Sequence, residues 1–261
     1  MTSEPITADR ASRAVQFALS LGEQLQISGG EVSRVEDTIS RICRAFGATR
    51  VDVFAITSVV FVTAIFDGGV VITQSRRIHG INKNTARLEA LNALSREVCA
   101  DPGDLDAAEG RLSSILRIKP IGKLHFWLAS LLATVSFTAF FGGDLLDVLA
   151  TLLATTVIVL CEFASEYVGG NRILASVLSC FLGSVAATLL VSVGLGTSLN
   201  MIMSGCIMIL IPGISMPSAI ENLIMGDTLT GLLGVLEATI TALALAGGFA
   251  LSQWLMGGAL L

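Results

Sequence analysis

Positively charged residues are nearly missing from the second half of this chain. Of its 16 lysines and arginines, only Arg172 follows Lys123, whereas 7 of its 21 acidic residues do. All charged residues together form 14% of the sequence, against roughly 25% in ordinary soluble proteins. Because the sequence pI is near 5.0 and no basic stripe is present, nucleic acid is not an expected partner.

The sequence also lacks the motifs of metal sites and of common enzymes. Its five cysteines show no CxxC spacing, and no HExxH, GxSxG or phosphate-binding loop occurs. We therefore expect no metal, no cofactor and no disulfide, and we do not expect an enzyme. The chain does not open on a positively charged segment followed by an apolar one, so a cleaved signal peptide is not expected.

What the sequence does contain is a large apolar content, concentrated after residue 120. Hydrophobic residues make up 53% of the chain, and the mean hydropathy is +0.78. Since a spanning helix needs about 20 apolar residues, the pattern predicts a membrane α-helical bundle of five transmembrane helices. This bundle, at residues 120–261, follows a small α+β cytosolic domain at residues 1–119. The predicted spans are 124–141, 145–161, 173–195, 199–224 with a break at Pro212, and 229–256.

In the first 119 residues, the spacing of apolar residues changes from a helical to a strand pattern, which indicates helices around a sheet. Apolar residues between 31 and 46 recur at steps of three and four, as on one face of a helix. Ser33 and Glu36 in this stretch fit a capping box. Two β-branched runs then flank Asp67-Gly68-Gly69, a hairpin signal. The predicted helices are 7–28, 31–46, 82–99 and 104–118, and the predicted strands are 50–56, 58–66 and 70–75.

Basic residues crowd the entrance to the first predicted span. Because such residues remain on the cytoplasmic side of a membrane, the N-terminus is expected in the cytoplasm. Five spans then leave the C-terminus outside, and the expected location is a bacterial inner (plasma) membrane. The residues that carry this orientation are Arg111, Arg117, Lys119 and Lys123.

The segment Met201–Asp227 begins as a spanning helix and is interrupted by two prolines. Proline removes a backbone donor and disrupts a helix interior. In a bilayer, broken helices survive only inside protein or beside a water-filled cavity, and transporters build solute sites there. Two interpretations stay open: a half-helix whose N–H groups receive a substrate carboxylate, or a plain helix end with its acids in cytoplasmic water. The candidate substrate-binding residues are Pro212, Gly213, Ser215, Ser218, Glu221, Asn222 and Asp227.

Glu237 lies well inside the last apolar run. An ionisable residue at bilayer depth costs at least about 2.5 kcal/mol on insertion scales, so such a residue is a functional candidate by default. Proton coupling and substrate contact are the functional interpretations, and a neutral carboxyl hydrogen-bonded between helices is the structural one. Asp144 and Asp147, in contrast, are expected to be solvated in a loop.

Three segments carry a resemblance to a known family. SGGEVSRVEDTISRI (28–42), NKNTARLEALNALSRE (82–97) and IPGISMPSAIENLIMGDTLTGLLGVLEA (211–238) resemble the threonine/serine exporter family in order and spacing. One position departs from that pattern, because Gly234 lies near the place where the family often has a basic residue. The resemblance implies a site around Pro212, Gly213, Asn222, Asp227 and Glu237, and a role in the cytosolic domain for Glu31, Arg34 and Glu36.

The length of the chain and its number of predicted spans resemble one type within that family. With 261 residues and five predicted spans, it looks like the large subunit of a split exporter associated with succinate. The resemblance implies a separate small membrane subunit of four or five spans as partner, or a higher oligomer. The expected function is export of a small hydrophilic solute, threonine/serine or succinate, by alternating access. The first alternative is a membrane-anchored sensor or enzyme that acts through its cytosolic domain, and the second is a scaffold with no solute path.

Overall fold

The computed structural model describes residues 7–80, 82–168, 172–211, 213 and 215–257. The chain divides into two compact units, Met1–Ile121 and Gly122–Leu261, each with its own set of internal contacts. The first unit contains four helices and a sheet, and the second is helical.

The first unit contains the predicted antiparallel sheet. Strands β1 (Ala48–Ile56), β2 (Val59–Phe66) and β3 (Val71–Arg77) lie in the order β1-β2-β3. Both glycines of the predicted hairpin turn, Gly68 and Gly69, adopt φ of 79°, a conformation that glycine reaches without a steric penalty.

Helices α1 and α2 pack against one face of this sheet and close a single core with it. Val35, Ile39 and Ile42, from the predicted apolar face, are fully buried there. The capping box, however, is absent, because Ser33 already lies in the first turn of its helix. Glu36 instead accepts a hydrogen bond of 2.6 Å from the backbone N–H of Ala55 in β1. The helices are α1 (Ala8–Ile27), α2 (Val32–Ala45), α3 (Thr85–Ala100) and α4 (Leu105–Ile115).

The second unit is built from long apolar helices, as predicted. Among the described residues, four helices are long and apolar enough to cross a membrane. The predicted count of five spans is not confirmed, because the fourth predicted span, which was expected to be broken, consists of two short helices. The helices are α5 (Lys123–Phe140), α6 (Leu145–Val168), α7 (Arg172–Ser192), α8 (Leu199–Ile207), α9 (Ser215–Ile224) and α10 (Thr228–Gly257).

The four long helices pack in the order α5, α6, α7, α10. Helix α8 packs against α5, α6 and α7, whereas α9 packs against α10. In the most apolar 18-residue stretch of each long helix, 39% of the residues are buried in α6 and in α7, but only 17% in α5 and 22% in α10. The two outer helices therefore leave most of their apolar surface to lipid or to another protein.

Glycine controls how closely α7 and α10 approach each other. A Cβ added at Gly248 would lie 2.6 Å from the carbonyl oxygen of Val177, whereas one added at Gly247 would meet nothing. We expect Gly248→Ala to destabilise the membrane unit by about 1–3 kcal/mol, the usual effect of overpacking. Thermal unfolding of the purified chain in detergent measures this change.

Gly247→Ala is the matched control, one residue away on the same helix. Alanine has the higher helix propensity, so this variant should be neutral or more stable by up to about 1 kcal/mol. Equal melting temperatures for the two variants would show that α7 and α10 are not in contact at Gly248.

Candidate functional site

The interrupted segment is divided between Ile207 and Ser215. Helix α8 ends at Ile207, whose carbonyl accepts the N–H groups of Leu210 and Ile211 at 2.9 and 3.1 Å. The N–H of Gly213 then donates to the carbonyl of Ile211 at 2.8 Å. Pro212, a predicted site residue, lies outside the described residues. Helices of nine and ten residues rise only about 14–15 Å each, about half the thickness of a hydrocarbon core.

Buried hydroxyl groups join α5 to α6, and one of them also contacts α8. The hydroxyls of Thr138 and Thr151 lie 2.9 Å apart, and Thr155 donates to Thr134 at 2.9 Å. Thr155 also lies 3.7 Å from the sulfur of Cys206 in α8. All five side chains are fully buried. Hydroxyls that bond across helices, with small residues at the crossings, are how helices associate in lipid.

Asp147 anchors the entrance to α8. Its side chain is only 1% exposed, so the expectation of a solvated loop residue is wrong for this position. Its carboxylate accepts the backbone N–H groups of Thr197 and Ser198 at 2.8 and 2.9 Å and the Thr197 hydroxyl at 3.0 Å. Asp144 accepts from the Thr197 hydroxyl as well, at 3.0 Å. The first turn of α6 thus fixes the loop that starts α8.

A tight turn joins α9 to α10. Gly226 has φ of 88°, and the N–H of Asp227 donates to the carbonyl of Asn222 at 2.9 Å, the bonding pattern that ends many helices. The carbonyl of Asp227 then accepts the N–H of Gly231 at 2.9 Å, so Asp227 directly precedes α10. Its carboxylate lies at the positive end of the α10 dipole.

Two glycines let α9 lie directly on α10. A Cβ at Gly231 would fall 2.8 Å from the backbone nitrogen of Leu223, and one at Gly234 would fall 2.7 Å from the Cβ of Ala219. Gly234 lies near the place where the resemblance would lead one to expect a basic residue. In this chain the contact with Ala219 leaves no space for a longer side chain on that face.

The predicted polar residues of this hairpin are available for a ligand. Ser215 and Glu221 are exposed, and Ser218, Asn222 and Asp227 are partly buried. Within the described part of the chain, none of these five side chains makes a hydrogen bond or an ion pair. Pro217 occupies the first turn of α9, where a missing N–H costs little. The arrangement leaves hydroxyl, amide and carboxylate groups without internal partners.

Glu237 is exposed on α10, between two zones of contact. On its N-terminal side Gly234 meets α9, and on its C-terminal side Gly248 meets α7. The Glu237 carboxylate lies about 15 Å along the helix from Asp227, given a rise of about 1.5 Å per residue. The two acids therefore do not share one site, although both lie on α10 or at its start.

The predicted motif residues of the first unit separate into two environments. Glu36 contacts β1, as described above, whereas Glu31 and Arg34 are exposed and line a cavity against α3. Glu31 precedes α2 and makes no side-chain cap, although its carbonyl accepts the N–H of Val35 at 3.0 Å.

Metal ligation has no support in the described residues, where no group of three His, Cys, Asp or Glu side chains could hold an ion. All five cysteines are free. Burial raises the pKa of the Cys43 thiol to about 12, so this thiol is protonated at neutral pH and packs as an apolar side chain.

Comparison with known proteins identifies the family. A family model described as "Putative threonine/serine exporter" (ThrE) matches residues 16–255, which include both units of the fold. Searches of curated proteins and of solved structures found no match. The match spans most of the 261 residues and agrees with the resemblance of the three motif segments. The chain therefore belongs to the ThrE family of threonine/serine exporters.

Proposed function

We propose that this chain is an inner-membrane exporter subunit that moves threonine or serine out of the cell by alternating access. The observation that carries the proposal is the division of one spanning segment into α8 and α9, with unpartnered polar side chains on the α9–α10 hairpin. Discontinuous helices at membrane depth present free backbone groups to a solute and are typical of transporters.

The groups of this hairpin suit the two ends of an amino acid. The N-terminus of α9, near Ser215 and Ser218, offers N–H groups and hydroxyls to a carboxylate. Glu221 and Asp227 offer carboxylates to an ammonium group, and Asn222 offers both a donor and an acceptor. The site would therefore satisfy a zwitterion without any basic side chain.

Succinate is the second candidate solute, and it makes a different demand. A dicarboxylate would meet the acids of this hairpin, and after Lys123 the chain has only Arg172 as a cation. Succinate export would thus require basic residues from the small membrane subunit that we propose as partner. The weakly buried faces of α5 and α10 offer area for such a subunit or for a higher oligomer.

Glu237 is our candidate for proton coupling. A carboxyl exposed on an apolar helix can bind a proton when it faces lipid or partner and release it when it faces water. We further propose a cytoplasmic N-terminus and an outside C-terminus, because basic residues precede the first span.

Amino acid efflux from cells with and without the chain tests the proposal. Cells preloaded with threonine should lose it faster when the chain and its small subunit are produced. Asp227→Asn should lower the efflux rate at least about fivefold, since the loss of a charged contact costs about 1 kcal/mol or more. Asp67→Asn, which removes a carboxylate from the exposed β-hairpin turn, should leave efflux unchanged.

Two outcomes would contradict the proposal. Equal intracellular threonine, serine and succinate with and without the chain would exclude these solutes. Equal efflux for Asp227→Asn and the parent, at equal amounts of protein in the membrane, would remove Asp227 from the site.

A further inference from the structure

The first unit contains a cavity of about 490 Å³ whose lining includes none of the proposed transport residues. It lies between the turn that joins α1 to α2 and one face of α3, entirely within this unit. Its volume falls in the range of about 300–1,000 Å³ that is common for small-molecule sites. The residues that line it are Gly29, Gly30, Glu31, Arg34, Thr85, Leu88, Glu89, Asn92 and Arg96.

Backbone hydrogen bonds fix one wall of this cavity. Gly29 has φ of 99°, and the N–H of Gly30 donates to the carbonyl of Leu25 at 2.8 Å, so α1 ends in a defined turn. The N–H of Asn84 then donates to the carbonyl of Ser28 at 3.1 Å. The turn and the start of α3 are thereby held at a fixed separation, and the cavity is preformed.

The opposite wall is one face of α3. Thr85, Glu89, Asn92 and Arg96 are spaced by three or four residues, so they point in the same direction. Leu88 contributes an apolar patch among them. The side-chain amide nitrogen of Asn92 donates to the carbonyl of Leu88 at 3.0 Å, which leaves the amide oxygen of Asn92 as an acceptor.

Four charged side chains face this space without neutralising one another. Within the described residues, Glu31, Arg34, Glu89 and Arg96 make no ion pair and no side-chain hydrogen bond. Nearby arginines do pair, as Arg41 does with Asp37 at 2.7 Å. Two positive and two negative groups therefore line one cavity and remain free to bind an outside charge.

The two charges at the start of α2 do not serve the helix itself. Arg34 lies in the first turn, where the helix dipole disfavours a cation, and Glu31 precedes the helix without capping it. A bound carboxylate beside Arg34 would reverse this unfavourable arrangement, since anions are favoured at that end.

We infer that this cavity is a binding site for a small zwitterion, with its carboxylate beside Arg34 or Arg96 and its ammonium group beside Glu31 or Glu89. A dicarboxylate would face two carboxylates in the same cavity, and a dication would face two guanidinium groups. Only a ligand that carries both signs is attracted by all four side chains. The site belongs to the first unit and shares no residue with the α9–α10 hairpin, so the inference does not depend on the proposed transport.

Calorimetric titration of the whole chain in detergent, with L-threonine as the probe, tests this site. We expect saturable binding that Arg34→Gln and Glu89→Gln each weaken at least tenfold. Arg44→Gln is the matched control, because Arg44 is also exposed and unpaired on α2 but lies in its last turn, outside the cavity. Succinate and threonine methyl ester, which each lack one of the two charges, should bind at least tenfold more weakly than threonine.

Hydrogen–deuterium exchange of the parent chain locates the bound ligand without any variant. Threonine should slow exchange in residues 29–34 and 85–96. The inference is overturned if threonine does not bind, if succinate binds as tightly, or if protection appears only in residues 215–237. In that last case the transport proposal would stand while the cytosolic site would fail. Unchanged efflux in Asp227→Asn, together with threonine protection of residues 29–34 and 85–96, would show the reverse.

Discussion

Replacement of Glu237 by glutamine should abolish coupled export. The amide keeps the size and the hydrogen bonding of a protonated carboxyl but can neither lose a proton nor carry a charge. We expect the efflux rate to fall at least about tenfold, equivalent to about 1.4 kcal/mol in the limiting step. Efflux of preloaded threonine at several external pH values measures this effect, and the variant should also lose the pH dependence of the parent.

Two companion variants give this prediction a sharp control. Glu237→Asp retains a titratable carboxyl and should retain part of the efflux and its response to pH. Leu236→Gln places the same amide on the neighbouring residue, which is 54% exposed on α10, and should export normally. Unchanged efflux in Glu237→Gln, at equal amounts of protein in the membrane, would show that this acid has no part in transport.

Replacement of Asp147 by alanine should have the largest effect on stability. It would leave the backbone N–H groups of Thr197 and Ser198, which are only partly buried, without their acceptor, whereas the Thr197 hydroxyl could still donate to Asp144. Since a hydrogen bond to a charged group contributes about 1.5–3 kcal/mol, we expect a loss of about 2 kcal/mol or more. The melting temperature in detergent should fall by at least roughly 4 °C.

Asp147→Asn should destabilise the protein less, because the amide oxygen of asparagine can still accept hydrogen bonds from the two backbone N–H groups. It should lie between the parent and alanine, and Asp67→Ala, in the exposed hairpin turn, should melt like the parent. If Asp147→Ala also melts like the parent, the carboxylate does not anchor the entrance to α8.

Local features were predictable because their signals lie within a few residues. The apolar face of α2 and the glycine turn between β2 and β3 both follow from backbone geometry that the neighbouring residues determine. The observed ends of the strands differ from the predicted ends by up to two residues. Strand β3, for example, was predicted at 70–75 and is observed at Val71–Arg77. The last residues of a helix or strand depend on contacts with distant parts of the chain, which a local sequence pattern does not reveal.

The role of Asp147 was not predictable in the same way. Asp144 and Asp147 at the start of an apolar run signal a helix N-terminus, and the structure shows one there. The donors that bury Asp147, however, belong to Thr197 and Ser198, about fifty residues later in the chain. Only the packing of α6 beside α8 brings these groups together.

The buried hydroxyls show an intermediate case. Two pairs of threonines are each four residues apart, so the members of each pair lie on the same face of their helix: Thr134 with Thr138, and Thr151 with Thr155. The spacing does not reveal that the two faces meet each other and Cys206. For the proposed transport site, similarly, the sequence predicted that Pro217, Asn222 and Asp227 lie in one interrupted segment. Only the structure shows that α9 packs on α10.

The shortness of α8 and α9 has a consequence for biosynthesis. A translocon releases a nascent segment into lipid when that segment alone is long and apolar enough, and neither short helix reaches this length. Helix α9 packs against α10, which the ribosome makes later. We therefore expect residues 215–224 to integrate stably only after α10 has been synthesised, whereas α8 can pack at once on helices that precede it.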